Sequence, residues 1–169
     1  FVSVPLMLLD AGLLQAEHWK VYLPVMLISF ICMVPFIIVG EKHQKMKQIL
    51  FIAVVLLGIS LVILGLSNLN LYGLIAGLWL FFVGFNILEA SRPSVISKFA
   101  HPGFKGSAMG LYSTSQFLGA FVGGVAGGFL SEYASVAGVF WGMIPLVVIW
   151  AAVVMSMAKP RHLSNYMAI

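Results

Sequence analysis

Apolar residues run along this chain in long blocks, broken by short polar clusters that hold most of the charge. A helix rises about 1.5 Å per residue, so crossing a hydrocarbon layer of roughly 30 Å takes about 20 apolar residues. Blocks of about that length lie at 22–40, 49–67, 71–91, 108–130 and 136–158, and a shorter one occupies 1–14. The pattern predicts an all-α membrane protein with five full crossings after one truncated helix. The breaks read "QAEHWK", "EKHQKMKQ", "NLN", "RPSVISKFAHPGFKGS" and "SEYAS". Connections this short make neighbouring helices antiparallel. Residues 1–158 thus form one transmembrane bundle, and 159–169 read as a cytoplasmic tail that can lead into a further domain.

Composition agrees with this pattern and narrows the function. The chain is 62% hydrophobic and only 8% charged, whereas a soluble domain has about a quarter of its residues charged. The formal charge of +4 could point to nucleic acid, but its distribution points elsewhere. Sorted by side of the bundle, Lys42, Lys45, Lys47, Arg92, Lys98, Lys105, Lys159 and Arg161 share one side and Lys20 stands alone on the other. Such an imbalance marks the cytoplasmic side. The cations therefore read as topology determinants that meet anionic lipid, and nucleic acid is not expected as a partner. Cys32 is the sole cysteine and lies inside an apolar block, so no disulfide framework or cysteine-rich metal site is expected. The chain opens at Phe1 with no basic segment and no cleavage pattern, which reads as a piece entered inside a helix and not as a signal peptide.

The chemistry must lie in the few polar residues inside the blocks. Asn86, Glu89 and Arg92 follow one another at three-residue steps, along one ridge of a helix. Glu89 reads either as an interfacial carboxylate paired with Arg92 or as a carboxylate lining a cytoplasm-facing cavity, a gate or proton acceptor. Asn86 lies deeper and needs a partner, either across a helix interface or in a wet pathway. In the next block Gly119, Gly123 and Gly127 recur every four residues with Gly124 and Gly128 beside them. That spacing lets helix backbones approach, for packing or as a sliding surface. Ser113 and Gln116 share a face just before it, with Thr114 and Ser115 between them. Pro24, Pro35 and Pro145 fall inside blocks, where neighbouring helices can re-satisfy the freed carbonyls. Zinc, serine-hydrolase and phosphate-loop motifs are missing, and His18, His43, His101 and His162 are scattered over both sides. No enzyme activity, cofactor or metal is expected.

The run "FNILEASRPSVISKFAHPGFKGSAMGLYSTSQFLGAFVGG", residues 85–124, resembles the tenth and eleventh helices of the major facilitator superfamily. The resemblance extends over essentially the whole chain and implies the C-terminal six-helix half of a twelve-helix transporter, entered partway through the seventh helix. It also implies a weaker copy of the family's cytoplasmic loop motif in "IIVGEKHQKMK". There Glu41 stands at the acidic position and Lys42, Lys45 and Lys47 at basic ones, while Ile37 and Gln44 replace the two glycines.

What the resemblance implies is a secondary active transporter of the bacterial inner membrane, its C-terminus cytoplasmic, moving a small molecule by alternating access against an N-terminal half. Proton-coupled efflux is the expected mode. Asn86, Ser113 and Gln116 are the candidates for cavity lining and Glu89 for a proton-sensitive gate. Two other readings stand beside it. One is a channel, which needs a continuous polar pore. The other is a receptor or scaffold in which the same residues serve only packing.

Overall fold

The computed structural model describes residues 3–67, 70–133 and 136–157, and it is all-helical. Six helices follow in chain order: α1 (Ser3–Asp10), α2 (Trp19–Lys42), α3 (Met46–Leu66), α4 (Leu71–Phe99), α5 (Lys105–Tyr133) and α6 (Val136–Ser156). Lipid offers no partner to backbone amides, so chains that cross it satisfy their hydrogen bonds within each segment. Among the described residues, four helical stretches are long and apolar enough to cross a membrane: Gln15–Lys42, Met46–Leu66, Leu71–Lys98 and Gly138–Ser156. The fifth expected crossing, α5, has the length, at 29 residues. Its glycines and the Ser113–Gln116 cluster dilute its apolar character, and it does not stand among those four. The tail at 159–169, with Lys159 and Arg161, lies outside the described residues.

The core sits among α2, α3, α4 and α6. Toward one end Val21, Val25, Leu64, Leu74, Leu78 and Phe82 pack with Val4 and Leu8 of α1. Toward the other, Ile49, Ala53, Val54 and Leu57 of α3 meet Val83, Ile87 and Leu88 of α4 and Val154 of α6. Gly84 makes this contact close: a Cβ there would stand 2.9 Å from the carbonyl oxygen of Ala53. Helices that lack a hydrophobic drive toward each other associate through such close backbone approach.

Two local features depart from the sequence expectation. The segment opened by Arg92 and Pro93 reads as a connection, yet α4 runs on to Phe99. Proline has no amide hydrogen, so Pro93 deprives the Glu89 carbonyl of its usual helical donor. Contacts beyond the helix hold the extension: Val95 is buried in the core cluster, and Ser94 and Lys98 both bond Glu41 of α2. The second feature is the glycine series of α5. Close packing is expected there, but a Cβ added at Gly119, Gly123, Gly124, Gly127 or Gly128 would meet nothing within 4 Å. Among the described residues α5 touches only α4, α6 and the short turn at Pro102–Phe104 over more than a few residues.

Candidate functional site

The polar side chains of α4 fan out to different neighbours. A three-residue step on a helix falls about 60° short of a full turn, so two steps rotate the ridge by about 120°. Asn86 therefore faces one neighbour while Glu89 and Arg92 face others. Asn86 Nδ2 donates to Ser29 Oγ of α2 at 3.2 Å. Ser29 is fully buried and its hydroxyl donates in turn to the Met26 carbonyl at 2.9 Å. Of the two arrangements open to Asn86, this geometry is that of a helix interface.

Glu89 is paired with Arg92 and also bonded across to α5. One carboxylate oxygen pairs with Arg92 Nη2 at 2.8 Å. The other accepts a hydrogen bond from Gln116 Nε2 of α5, also at 2.8 Å. Arg92 is further fixed by Nε donating to the Leu88 carbonyl at 3.1 Å. The Glu89 side chain retains 41% of its exposure, so the pair borders open space and is not sealed in the core. Ser113 sits one turn before Gln116 on α5, half-buried. Its neighbours Thr114 and Ser115 turn their hydroxyls back to the carbonyls of Gly110 and Leu111, which removes them from any shared network.

A second cluster lies beyond the apolar run of α2. Glu41 accepts from Lys98 Nζ at 2.5 Å and from Ser94 Oγ at 2.7 Å. These two bonds, the Lys98 one first, hold the Glu41 carboxyl below the ordinary carboxylate value. Of the basic positions in this loop, Lys47 donates to the carbonyl of Met155 at 2.6 Å and to that of Met157. A cation there meets the negative end of α6. Lys42 and Lys45 are exposed. Gln44 adopts φ 56°, the left-handed backbone that a glycine takes most easily. Gly40 supplies the close approach in this loop, since a Cβ on it would stand 2.8 Å from the sulfur of Met46.

Ser29, Ser94 and Lys98 are partners that the sequence reading did not pair with Asn86 and Glu41, Lys98 being read only as one of the cations on the basic side. Ser29 was detectable as a lone polar residue in "MLISFICM". For Ser94 and Lys98 the only signal was their charge and polarity beyond Pro93, which suits a loop equally well. Among the described residues no three His, Cys, Asp or Glu side chains gather in a way that could hold a metal ion. The contacts seen at these two clusters are hydrogen bonds and ion pairs, several of which join one helix to another.

Comparison with known proteins accords with this picture. A family model described as Major Facilitator Superfamily matches residues 4–165. The inner membrane transport protein YajR of Escherichia coli (strain K12) is 45% identical over 98% of this chain, which corresponds to 36% of that relative. An uncharacterized transporter of Buchnera aphidicola is 37% identical over 73% of the chain and 32% of its own length. The multidrug resistance protein MdtH of Aeromonas salmonicida is 35% identical over 78% of the chain and 32% of its own length. The chain thus spans about a third of the length of these relatives.

Proposed function

The chain belongs to the Major Facilitator Superfamily, and from that premise we propose that it is the C-terminal half of a secondary transporter moving a small molecule across a bacterial inner membrane. Its partner is an N-terminal six-helix half, and the two rock about a substrate site between them. The basic end faces the cytoplasm. One relative is named an inner membrane transport protein and another a multidrug resistance protein; the first name supports the location and the second suits an exporter's direction.

The observation that carries the mechanism is the hydrogen bond from Gln116 to Glu89, joining α4 to α5. α5 also packs along α6, but its glycine face is open. Toward α4 this carboxylate is the polar contact that holds it. Ionised, Glu89 accepts from both Arg92 and Gln116. Protonated, it loses its charge, so the charge-assisted bonds from Arg92 within α4 and from Gln116 of α5 both weaken and α5 gains freedom to shift. Proton arrival at Glu89 is thus linked to helix movement, the requirement for exchanging a proton against a substrate. Ser113 borders the same region on α5 as a further lining candidate, whereas Asn86 faces α2, and Gly119, Gly123, Gly124, Gly127 and Gly128 offer the other half a surface it can approach closely. Populations of inward and outward states shift only as far as a ligand or proton binds one better than the other.

The test uses the full-length protein in proteoliposomes, with a cationic dye as the probe and an imposed pH gradient. Gradient-driven dye flux is expected, and Glu89→Gln should lower it about tenfold or more, the loss of roughly 1.4 kcal/mol of coupling. Flux indifferent to the gradient rejects proton exchange. Currents far above transporter turnover would instead favour a channel.

A further inference from the structure

At the basic end of the bundle α3, α4 and α6 do not close completely on one another. A cleft of about 160 Å³ opens between them, lined by Leu50, Leu88, Arg92, Val95, Trp150 and Met157 among others. Its walls are aliphatic and aromatic except for Arg92. Nε and Nη2 of that guanidinium are engaged by the Leu88 carbonyl and Glu89, while Nη1 takes part in no hydrogen bond among the described residues. A second cation stands at the rim, since Lys47 bonds the carbonyl of Met157, a residue of the cleft wall.

Depth identifies the occupant. Leu71 and Arg92 are 21 residues apart on α4, about 32 Å along a helix and so close to the full hydrocarbon thickness. Arg92 therefore sits at the level of lipid head groups, with the apolar part of the cleft reaching back into the acyl region. Trp150 has the amphipathic ring favoured at that boundary. A free anion would find one or two cations but no use for the apolar walls, and a zwitterionic lipid would bring a cation of its own beside Arg92 and Lys47. We propose that the cleft seats an anionic phospholipid, with part of an acyl chain between α3, α4 and α6 and its phosphate on Arg92 Nη1 and Lys47. Basic pockets between helices on the cytoplasmic side bind anionic head groups in this way. The site stands without the transport reading, although Arg92 also holds Glu89, so occupancy bears on the Glu89–Gln116 link.

Native mass spectrometry of the full-length protein tests the site, with phosphatidylglycerol and phosphatidylcholine of identical chains as probes. One retained phosphatidylglycerol is expected, bound about tenfold more tightly than phosphatidylcholine. Arg92→Gln should weaken it by about the same factor. Met157→Trp fills the cleft without changing any charge and should also displace it, with Met157→Leu as the control for folding. Removing two exposed cations outside the cleft, by Lys42→Gln with Lys45→Gln, should leave the affinity within about twofold. Equal binding of the two lipids overturns the proposal. So does a loss in the Lys42 and Lys45 double variant as large as that of Arg92→Gln, because only diffuse surface charge would explain it.

Discussion

The two sides of α4 are built on different principles. Toward α2 and α3 it is packed: Val83, Ile87 and Leu88 are buried against Ala53, Val54 and Leu57, Gly84 nearly touches the Ala53 backbone, and Asn86 reaches a buried hydroxyl. Toward α5 it offers a carboxylate, and α5 answers with Gln116. Of the α5 residues only Gly127 is buried. Phe117, Phe121 and Phe129 keep 74%, 69% and 57% of their exposure. The difference teaches that one side of α4 locks the bundle together while the other is joined to its neighbour through a polar contact. A helix whose contacts are few and polar can change partners, whereas an interlocked one cannot.

The glycines give the largest expected contrast. Gly84→Ala puts a methyl group within 2.9 Å of a backbone oxygen, and overpacking of this kind costs about 1–3 kcal/mol. Gly124→Ala meets open space in this chain, and alanine's better helix propensity favours it by up to about 1 kcal/mol. Thermal unfolding of both variants in detergent checks the contrast. Two equal, small effects would break it. A large loss at Gly124 in the full-length protein would sharpen it, by marking that face as covered by the other half.

Next in size is the link across the open side. Gln116→Leu should loosen α5 by roughly 0.6–2 kcal/mol, the range for interhelical hydrogen bonds in membranes. Hydrogen exchange should then rise in α5 and stay unchanged in α3. Uniform change over both helices would contradict the division. On the packed side Asn86→Leu should cost about 0.6 kcal/mol, and a cycle with Ser29→Ala measures whether the pair is coupled.

The smallest effect is pH dependence at Glu41. Its carboxyl is held below its ordinary value by Lys98 and then Ser94. The stabilisation is therefore fully present above the unfolded carboxylate range and is lost as pH falls through the lowered folded value. Both partners are more than a third exposed, so screening leaves at most a few tenths of a kcal/mol. Glu41→Gln should abolish that acid dependence, and an unchanged pH profile would show that Glu41 does not contribute it.

Much of the fold was legible because lipid leaves so few choices. A block of about 20 apolar residues in a bilayer must be helical, and short polar breaks turn it back. The extension of α4 to Phe99 was not legible, because Pro93 and its polar followers carry the marks of a loop and only the contacts of Val95 and Lys98 hold them helical. At the candidate site, Asn86, Glu89 and Gln116 stood out as polar residues in apolar surroundings. Their partners did not, since Ser29 lies 57 residues from Asn86 and Gln116 lies 27 from Glu89. Pairings across helices depend on how α2, α4 and α5 rotate against each other, and hydropathy leaves that rotation undetermined. The glycine face reads as a packing or sliding surface because spacing shows that a surface can be approached, without showing which chain approaches it.

Lipid solvation with the Lys45 end inside the cell underlies the gate, the lipid cleft and the division of α4 alike. Single cysteines at Lys45 and Gln15, both exposed, can be probed in intact cells with a membrane-impermeant thiol reagent in a background lacking other cysteines. Labelling of Gln15→Cys from outside, and of Lys45→Cys only after permeabilisation, is the predicted result. Labelling of Lys45→Cys in intact cells would contradict it.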